Sequence, residues 1–165
     1  LVDNNLLEKI IKTIDIKKDD AILEIGPGHG ALSEKIIQKT KTLKMIEIDP
    51  ELIQVISQNP LLSPFETFNQ DILKTNLQEL GLNNPKVIGN IPYNITSPII
   101  FWLFDHLPYW SESYLMVQKE VAQRLIADIG TKDYSRITVM TGLYFSNEVG
   151  SHRLPPIWRR AQIQN

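Results

Sequence analysis

A short apolar segment that ends directly at a glycine-rich turn restricts the fold of this chain more than any other feature. Residues 21–25 read Ala-Ile-Leu-Glu-Ile, and residues 26–30 follow with Gly-Pro-Gly-His-Gly. Residues 31–39 then place apolar side chains at helical spacing. A buried strand, a glycine turn and a helix in this order are typical of parallel α/β sheets, where the turn lets backbone approach a ligand. The turn alone is a weak signal, because any tight strand-to-helix connection favours glycine.

The same alternation of strand and helix continues along the chain. Further strands are predicted at residues 43–48, 65–68, 86–89, 113–117 and 145–149, and further helices at 4–14, 51–57, 97–106, 119–127 and 134–144. This pattern predicts an α/β fold with a mostly parallel sheet and helices on both faces. Ligands of such sheets bind beyond the carboxyl ends of the strands. The residues that follow each strand are therefore the candidates for a functional site.

Composition and charge exclude several classes of protein. Lys and Arg number 17 against 19 Asp and Glu, a formal charge of −2, so the chain is not expected to coat nucleic acid by bulk charge. The absence of cysteine excludes disulfides, thiolate zinc sites and cysteine nucleophiles. The three histidines are far apart, and we expect no metal site. No apolar run approaches about 18 residues and no signal-peptide pattern is visible, so we expect no membrane contact and a cytoplasmic location.

Two acidic residues follow the second and third predicted strands. Glu47 lies 21 positions after Gly26, a spacing at which a carboxylate accepts hydrogen bonds from both hydroxyls of a ribose. Asp71 is placed to accept from an adenine amino group, although an aspartate that caps the next turn is equally consistent with the sequence. Taken alone, Glu47 is equally consistent with a solvated carboxylate. The glycine turn and the acid together predict a nucleoside-containing cofactor.

The most informative tetrapeptide follows the fourth predicted strand and consists of Asn90, Ile91, Pro92 and Tyr93. The asparagine offers a side-chain carbonyl, the proline stiffens the turn, and the tyrosine offers a flat face. Together they are suited to grip an exocyclic amine and to stack on its ring. A plain turn with a packed tyrosine is the alternative. We favour the functional interpretation because the tetrapeptide and the glycine turn share one edge of the predicted sheet.

These motifs occur in the order found in a known family. They are Glu-Ile-Gly-Pro-Gly-His-Gly at 24–30, Glu-Ile-Asp at 47–49, Gln-Asp at 70–71, Asn-Ile-Pro-Tyr at 90–93 and Met-Val-Gln-Lys-Glu-Val-Ala-Gln-Arg-Leu at 116–125. From residue 1 to about residue 144 the chain resembles the KsgA-type ribosomal RNA adenine N6,N6-dimethyltransferases. The resemblance implies a Rossmann-like class I methyltransferase fold, with S-adenosyl-L-methionine as cofactor.

The resemblance also implies a role for individual residues. Those expected to bind the cofactor are Leu1, Gly26, Gly28, Glu47, Ile48, Asp71, Ile72 and Asn90. Among them, Glu47 would hold the ribose hydroxyls and Asp71 the adenine amino group of the cofactor. Those expected to be catalytic are Asn90, Ile91, Pro92 and Tyr93. The side-chain oxygen of Asn90 and the backbone carbonyl of Ile91 would accept the two hydrogens of the target N6, and Tyr93 would stack on the target adenine.

The implied partner is small-subunit rRNA in the immature 30S subunit, where the family dimethylates two adjacent adenosines near the 3′ end of 16S rRNA. Residues 1–150 would form the S-adenosylmethionine-binding catalytic domain. Residues 151–165 would form a divergent tail, without the small helical C-terminal domain of the family. We therefore expect a chain that is truncated or altered at both ends, monomeric and free of metal. Two other functions remain open, a non-catalytic RNA-binding ribosome-assembly factor and a related large-subunit rRNA adenine methyltransferase.

Overall fold

A seven-stranded sheet forms the centre of the computed structural model, which describes residues 4–125, 127, 129, 130, 132, 138, 145–148 and 157–160. For Tyr93, Lys119 and the last two ranges only the backbone is described. The strands are β1 (Ala21–Ile25), β2 (Thr42–Glu47), β3 (Glu66–Asn69), β4 (Lys86–Asn90), β5 (Glu112–Met116), β6 (Phe145–Glu148) and β7 (Ile157–Arg160). The α-helices are α1 (Asn4–Ile14), α2 (Ala31–Ile36), α3 (Pro50–Gln58), α4 (Thr96–Asp105) and α5 (Lys119–Leu125). Short 3-10 helices cover Ile72–Lys74, Leu77–Leu80 and Tyr93–Ile95.

The order of the strands across the sheet is β3-β2-β1-β4-β5-β7-β6. The first five pair in parallel, and β7 pairs antiparallel with both β5 and β6. The chain runs outward from β1 to β3, returns to the centre and continues outward from β4 to β5. The order therefore reverses between β1 and β4, which is where α/β sheets of this kind form their binding crevice.

Two apolar layers cover the faces of the sheet. On one face, α1 buries Leu7, Ile10, Ile11 and Ile14, whose spacing of three and four residues puts them on one side of the helix. On the other face, α4 is apolar around most of its surface and is buried accordingly. Its Trp102 donates a hydrogen bond to the carbonyl of Thr75 at 2.8 Å, so the burial of the indole leaves no unpaired donor.

The structure confirms the predicted α/β class, with a mostly parallel sheet and helices on both faces. Several boundaries differ from those predicted. The helix expected over 31–39 ends at Ile36, because residues 37–39 form a turn in which Lys39 donates to the carbonyl of Ile36 at 2.9 Å. The helix expected over 134–144 lies outside the described residues, except for Thr138.

The strand β7 was not predicted. It pairs with β5 in the register Tyr114↔Ile157, and it falls within the segment that the sequence indicated as a divergent tail. Among the described residues, no helix is long and apolar enough to cross a bilayer. In the same part of the chain, no group of three His, Cys, Asp or Glu side chains is placed to hold a metal ion.

Candidate functional site

A cleft lies at the carboxyl ends of the parallel strands and encloses about 100 Å³. Its wall is formed by Ile25, Gly26, Ile46, Glu47, Ile48, Gln70, Asp71, Ile72, Asn90, Ile91, Pro92 and Ile95. Four separate strand ends therefore contribute to one cleft, as the parallel topology predicts. A larger cleft of about 440 Å³ lies between α1 and α2, lined by residues such as Asp15 and Lys39. It belongs to the end of the sheet where the strands begin, and it contains none of the predicted site residues.

The glycine turn meets the Asn90 loop at the centre of the cleft. Gly26 has φ +65°, and a Cβ added there would lie 3.7 Å from the carbonyl oxygen of Asn90. The backbone N–H of Gly26 donates to the carbonyl of Ile46 at 2.9 Å, which fixes the turn against β2. A Cβ at that distance would make an ordinary contact, so the positive φ is what favours glycine here, and the glycine turn and the end of β4 lie side by side at the cleft.

Glu47 is held by backbone donors on both of its carboxylate oxygens. One oxygen accepts from the N–H of Gly28 at 3.2 Å, and the other accepts from the N–H of Asp49 at 3.1 Å. The side chain is only 6% exposed although it lines the cleft. Each oxygen has a second lone pair, so the carboxylate is oriented in advance to accept hydrogen bonds from a ligand as well.

Asp71 caps the turn that follows β3 and also lines the cleft. One of its oxygens accepts from the N–H of Leu73 at 3.0 Å and so caps the 3-10 helix Ile72–Lys74. The side chain also lines the cleft, where its second oxygen is available to an amino group. Ile72 is buried against the core, whereas Ile48 is 66% exposed. The two isoleucines line the cleft next to the acidic groups in sequence and offer it apolar surface.

The segment Asn90-Ile91-Pro92 forms the wall of the cleft next to the glycine turn. Asn90 is exposed, and its side chain makes no hydrogen bond to any described residue. The Ile91 side chain is buried, with its N–H donating to the carbonyl of Met116 at 3.1 Å. Pro92 is exposed and has φ −58°. The side-chain amide of Asn90, which has no described hydrogen-bond partner, thus lines the cleft on a segment whose backbone is held by hydrogen bonds.

Glu24 is a buried carboxylic acid. It is the first residue of the motif at 24–30, but the sequence indicated no role for it. It is 2% exposed, and one of its oxygens has no hydrogen-bond partner among the described residues. Burial raises the pKa of Glu24 to about 7. The nearby Ser33 hydroxyl partly offsets this rise, although its geometry falls short of a hydrogen bond. A glutamate inside the apolar segment of residues 21–25 was the signal in the sequence.

Most of the predicted site residues are brought together. Gly26, Glu47, Ile48, Asp71, Ile72, Asn90, Ile91 and Pro92 all line the cleft, and Gly28 contacts it through its bond to Glu47. Leu1 and the side chain of Tyr93 lie outside what the structure describes. Ile95 was not predicted but completes the wall beside Pro92. Its only signal in the sequence was its position just after the tetrapeptide.

The cleft therefore combines three kinds of surface. A buried acid and a second, capping acid offer acceptors for hydroxyl and amino groups, and isoleucines offer apolar walls. An uncommitted amide lies beside a close approach of two backbones. This arrangement suits a nucleoside-containing ligand together with an amine that is presented to it.

Comparison with known proteins matches the model of the family described as ribosomal RNA adenine dimethylase to residues 1–149. A relative in Malacoplasma penetrans, ribosomal RNA small subunit methyltransferase A, is 40% identical over 141 residues, which are 85% of this chain and 51% of that protein. A dimethyladenosine transferase structure from Plasmodium falciparum has a TM-score of 0.83 at 30% identity, over 98% of this chain and 63% of that one. The structure of the 23S rRNA methyltransferase ErmE has a TM-score of 0.79 at 27% identity, over 98% of this chain and 69% of that one.

The curated relatives that the chain matches are longer than the chain itself. The chain spans 51% of the length of one of them and 61% of the length of another. The family match nevertheless covers far more than half of the chain and includes each strand end that lines the cleft. This confirms the resemblance found in the sequence motifs. The chain belongs to the ribosomal RNA adenine dimethylase family.

Proposed function

We propose that this chain is the catalytic domain of a small-subunit rRNA adenine N6,N6-dimethyltransferase that uses S-adenosyl-L-methionine. The observation that carries the proposal is the approach of the Gly26 turn to the carbonyl of Asn90, because it joins a cofactor cleft to an amine-binding loop. In this proposal residues 1–150 form the domain, and the segment 151–165 adds strand β7 to its sheet, between β5 and β6. The chain acts as a cytoplasmic monomer on the immature 30S subunit.

The cleft fits the proposed cofactor in four respects. The oriented carboxylate of Glu47 suits the two ribose hydroxyls, the second oxygen of Asp71 suits the adenine amino group, and Ile48 and Ile72 suit the faces of the ring. The space left by the absent Cβ of Gly26 suits the methionine part. When bound, S-adenosylmethionine supplies an activated methyl, whose bond to sulfur breaks as the bond to N6 forms, leaving S-adenosylhomocysteine and a proton.

The amine is oriented by the segment at the end of β4. The N6 lone pair of adenine is delocalised into the ring, so N6 must pyramidalise before it attacks a methyl carbon. The Asn90 side-chain oxygen and the Ile91 carbonyl accept the two N6 hydrogens and direct the lone pair toward the methyl. Acceptors that are already in place stabilise the charge that builds on N6 at no further cost of reorganisation.

The target base has to leave its stack to reach this cleft, as in other enzymes that act on bases. Tyr93 follows Pro92 directly, and in our proposal its ring stacks on the extruded adenine. Such base–aromatic contacts contribute about 1–3 kcal/mol. The chain itself supplies no nucleophile in this reaction. Its residues bind, orient and stack, which is mainly a task of proximity and orientation.

The substrate is assigned through the relatives. The Malacoplasma penetrans protein is named for the small ribosomal subunit, and the Plasmodium falciparum structure is titled a dimethyladenosine transferase. The first name supports small-subunit rRNA as the substrate, and the second supports dimethylation of adenosine. We take two adjacent adenosines near the 3′ end of 16S rRNA as the target because the resemblance of the sequence motifs implies them. The likeness to ErmE favours a second candidate, methylation of an adenine in 23S rRNA.

Transfer of labelled methyl groups tests the proposal. Immature small subunits and large-subunit precursors are incubated in parallel with the chain and labelled cofactor, and the modified bases are mapped. We expect dimethylated adenosines in 16S rRNA only. Label in 23S rRNA would support the second candidate. Absence of label together with no binding of S-adenosylhomocysteine by calorimetry would favour a non-catalytic assembly factor and contradict the proposal.

The variant Asn90→Ala tests the mechanism within the same assay. We expect transfer to fall by about 10²- to 10³-fold, as when a single preorganised polar group is removed from an active site. The unfolding midpoint should remain close to that of the parent, because the Asn90 side chain makes no described hydrogen bond. Since Asn90 also lines the cofactor cleft, binding of S-adenosylhomocysteine should weaken, but by far less than transfer falls. Asn83→Ala, an exposed asparagine in the loop before β4, is the matched control and should transfer normally.

A further inference from the structure

The Pro92 carbonyl is held by two donors from the beginning of α4. The N–H of Ile95 donates to it at 3.2 Å, and the hydroxyl of Thr96 donates to it at 3.1 Å. Thr96 is 0% exposed and is the first residue of α4. The segment is fixed at its other end by the bond from the Ile91 N–H to Met116. Both ends of the Ile91–Pro92 unit are therefore anchored to regular structure.

The Thr96 hydroxyl is not needed as a helix cap. The cap position of α4 is Ile95, whose side chain accepts no capping hydrogen bond, and Thr96 donates back to a carbonyl four residues earlier. Burying a hydroxyl costs free energy unless it is hydrogen-bonded. The carbonyl that accepts from this buried hydroxyl belongs to the segment that forms the amine-binding wall of the cleft.

The geometry of proline connects the Pro92 carbonyl to the direction of the Ile91 carbonyl. The Ile91 carbonyl lies in the plane of the peptide bond to Pro92, and the ring fixes φ of Pro92, which is −58° here. The one soft torsion between the two carbonyls is ψ of Pro92, which is 143°. Two donors on the Pro92 carbonyl restrain that torsion. They thereby restrain where the Ile91 carbonyl points.

The position of Gly89 supports the same conclusion independently. A Cβ added at Gly89 would lie 2.6 Å from Cδ1 of Ile91 and 3.2 Å from the carbonyl oxygen of Ile25. The Ile91 side chain therefore packs back against β4 into space that only glycine leaves. Side-chain packing and backbone hydrogen bonds together therefore fix the conformation of the Ile91–Pro92 unit.

We propose that Thr96 is a positioning residue for methyl transfer: its hydroxyl restrains Pro92 and thereby aims the Ile91 carbonyl at the target amine. The inference rests on the proposed function, since it needs an amine at this wall of the cleft. Thr96 acts through Pro92 and does not itself touch the amine. Misplacement of a reacting group by about 1 Å costs about 10²-fold in rate, so loss of this restraint should be visible in kcat.

Three variants test the proposal. Thr96→Val removes the hydroxyl and keeps the shape, and Thr96→Ser keeps the hydroxyl. Thr40→Val is the matched control, because Thr40 is also buried and its hydroxyl donates to a carbonyl, that of Asp20, at 2.6 Å and away from the cleft. Each variant is assayed under conditions in which it is folded. The two measurements are labelled methyl transfer to immature small subunits and calorimetric titration of S-adenosylhomocysteine.

We expect Thr96→Val to lower kcat by about 10- to 100-fold. The KM for the subunits and the Kd for S-adenosylhomocysteine should stay within about twofold of the parent, since neither ligand touches Thr96 in the proposal. Thr96→Ser should recover kcat to within about threefold of the parent, and Thr40→Val should keep it. An unchanged kcat in Thr96→Val, an equal loss in Thr96→Ser, or an equal loss in Thr40→Val would overturn the positioning role.

Amide hydrogen exchange separates this inference from the proposed function. In Thr96→Val, the N–H groups of Ile91 and Ile95 should exchange at least tenfold faster than in the parent, and in Thr96→Ser they should not. If the parent transfers no methyl, the proposed function fails. Even in that case, the amide exchange rates show whether Thr96 restrains the Ile91–Pro92 unit. Unchanged exchange at both amides in Thr96→Val overturns the inference, whether or not methyl transfer is seen.

Discussion

Glu47 and Gly28 are joined by a hydrogen bond of 3.2 Å across the cleft, from the backbone N–H of the glycine to a carboxylate oxygen of the glutamate. The bond connects the end of β2 to the turn after β1. The other oxygen of Glu47 accepts from the N–H of Asp49, which caps α3. One carboxylate therefore organises the glycine turn and the start of α3 before any ligand is bound.

Glu47→Gln should weaken binding of S-adenosylhomocysteine by about 10- to 100-fold. The amide removes the charge and presents an N–H to one of the two backbone donors, so the side chain no longer satisfies both. Hydrogen bonds to a charged group contribute about 1.5–3 kcal/mol, and tenfold in affinity corresponds to about 1.4 kcal/mol. Calorimetric titration measures the effect.

Glu66→Gln is the control for Glu47. Glu66 lies on the neighbouring strand β3 and pairs with Lys44 at 2.7 Å, with its side chain 55% exposed. We expect its Kd for S-adenosylhomocysteine to stay within about twofold of the parent. If Glu47→Gln bound the ligand as tightly as Glu66→Gln, the role of Glu47 in ribose binding would be wrong.

Glu24 should make the stability of the domain fall as pH rises. Its pKa is about 7 in the folded chain against 4.5 for the free side chain, so between these values the folded state binds more protons than the unfolded state. The contribution is most favourable below about pH 4.5 and is lost as pH rises through about 7. Glu24→Gln removes this dependence. From pH 5 to pH 8, the free energy of unfolding of the variant should gain about 2.5 kcal/mol relative to the parent.

Urea unfolding at pH 5, 6, 7 and 8 measures this difference, and Glu51→Gln provides the control. Glu51 is exposed at the start of α3, and its removal should leave a stability profile parallel to that of the parent. Profiles of Glu24→Gln and the parent that stay parallel from pH 5 to pH 8 would show that Glu24 is ionised in the folded chain throughout.

Gly30→Ala should destabilise the domain by about 2–4 kcal/mol. Gly30 has φ +84°, which strains any residue with a Cβ, and that Cβ would lie 2.3 Å from Cδ1 of Leu62, so Leu62 must move. Gly81→Ala is the comparison. It has a similar φ of +65° and its nearest neighbour is Lys44 Nζ at 3.9 Å, so it should cost only about 1 kcal/mol. The free energy of unfolding of both variants is measured with denaturant. If Gly30→Ala and Gly81→Ala lost the same amount, the Leu62 side chain would be able to move aside at no cost.

Lys86→Met should cost about 2 kcal/mol of folding stability. The Lys86 ammonium lies 2.9 Å from Asp20 and 3.3 Å from Glu112, and its side chain is 13% exposed. Removing the cation leaves two largely buried carboxylates close to each other, which is costlier than losing an exposed pair. The network ties β1, β4 and β5 together where the strands begin, so cofactor binding at the opposite edge should be unaffected.

Lys44→Met gives the matched surface comparison for Lys86. Its pair with Glu66 is partly exposed, and such pairs contribute about 0–1 kcal/mol. Thermal and urea unfolding of the two variants should therefore differ clearly. A loss for Lys86→Met that is no greater than for Lys44→Met would mean that Asp20 and Glu112 find other partners or water.

The sequence predicted the elements whose burial pattern is regular. The apolar residues of α1 recur every three or four positions, and the continuous apolar segment of β1 is typical of a strand buried on both faces. Such patterns depend on neighbours along the chain. By contrast, β7 has no such signal in Ile-Trp-Arg-Arg, because its strand geometry comes from pairing with β5 and β6.

The functional site was likewise predictable from the sequence only in part. The residue types after each strand, and the rule that parallel strands end at one edge, were sufficient to select Gly26, Glu47, Asp71 and Asn90 from the sequence alone. The sequence offered the capping role of Asp71 only as an alternative to a place in the cleft, whereas the structure shows the cap and the place in the cleft together. The sequence did not show that Glu47 is oriented by two backbone donors, or that Glu24 is buried without a described partner for one oxygen. The bond from Gly28 to Glu47 joins residues 19 positions apart, so local pattern carries no trace of it. The bonds from Asp49 to Glu47 and from Leu73 to Asp71 span only two positions, and they form because the chain turns at the strand ends.

The amino-acid sequence by itself determined which parallel strands form and which chemical groups stand at their ends, because periodicity and turn residues are local properties. Only the tertiary structure decided how those groups are aimed. The direction of the segment from Asn90 to Pro92 depends on Thr96, on Met116 in the next strand and on the space beside Gly89. These contacts exist only once the sheet and its helices have packed, since packing brings distant donors and acceptors within bonding distance.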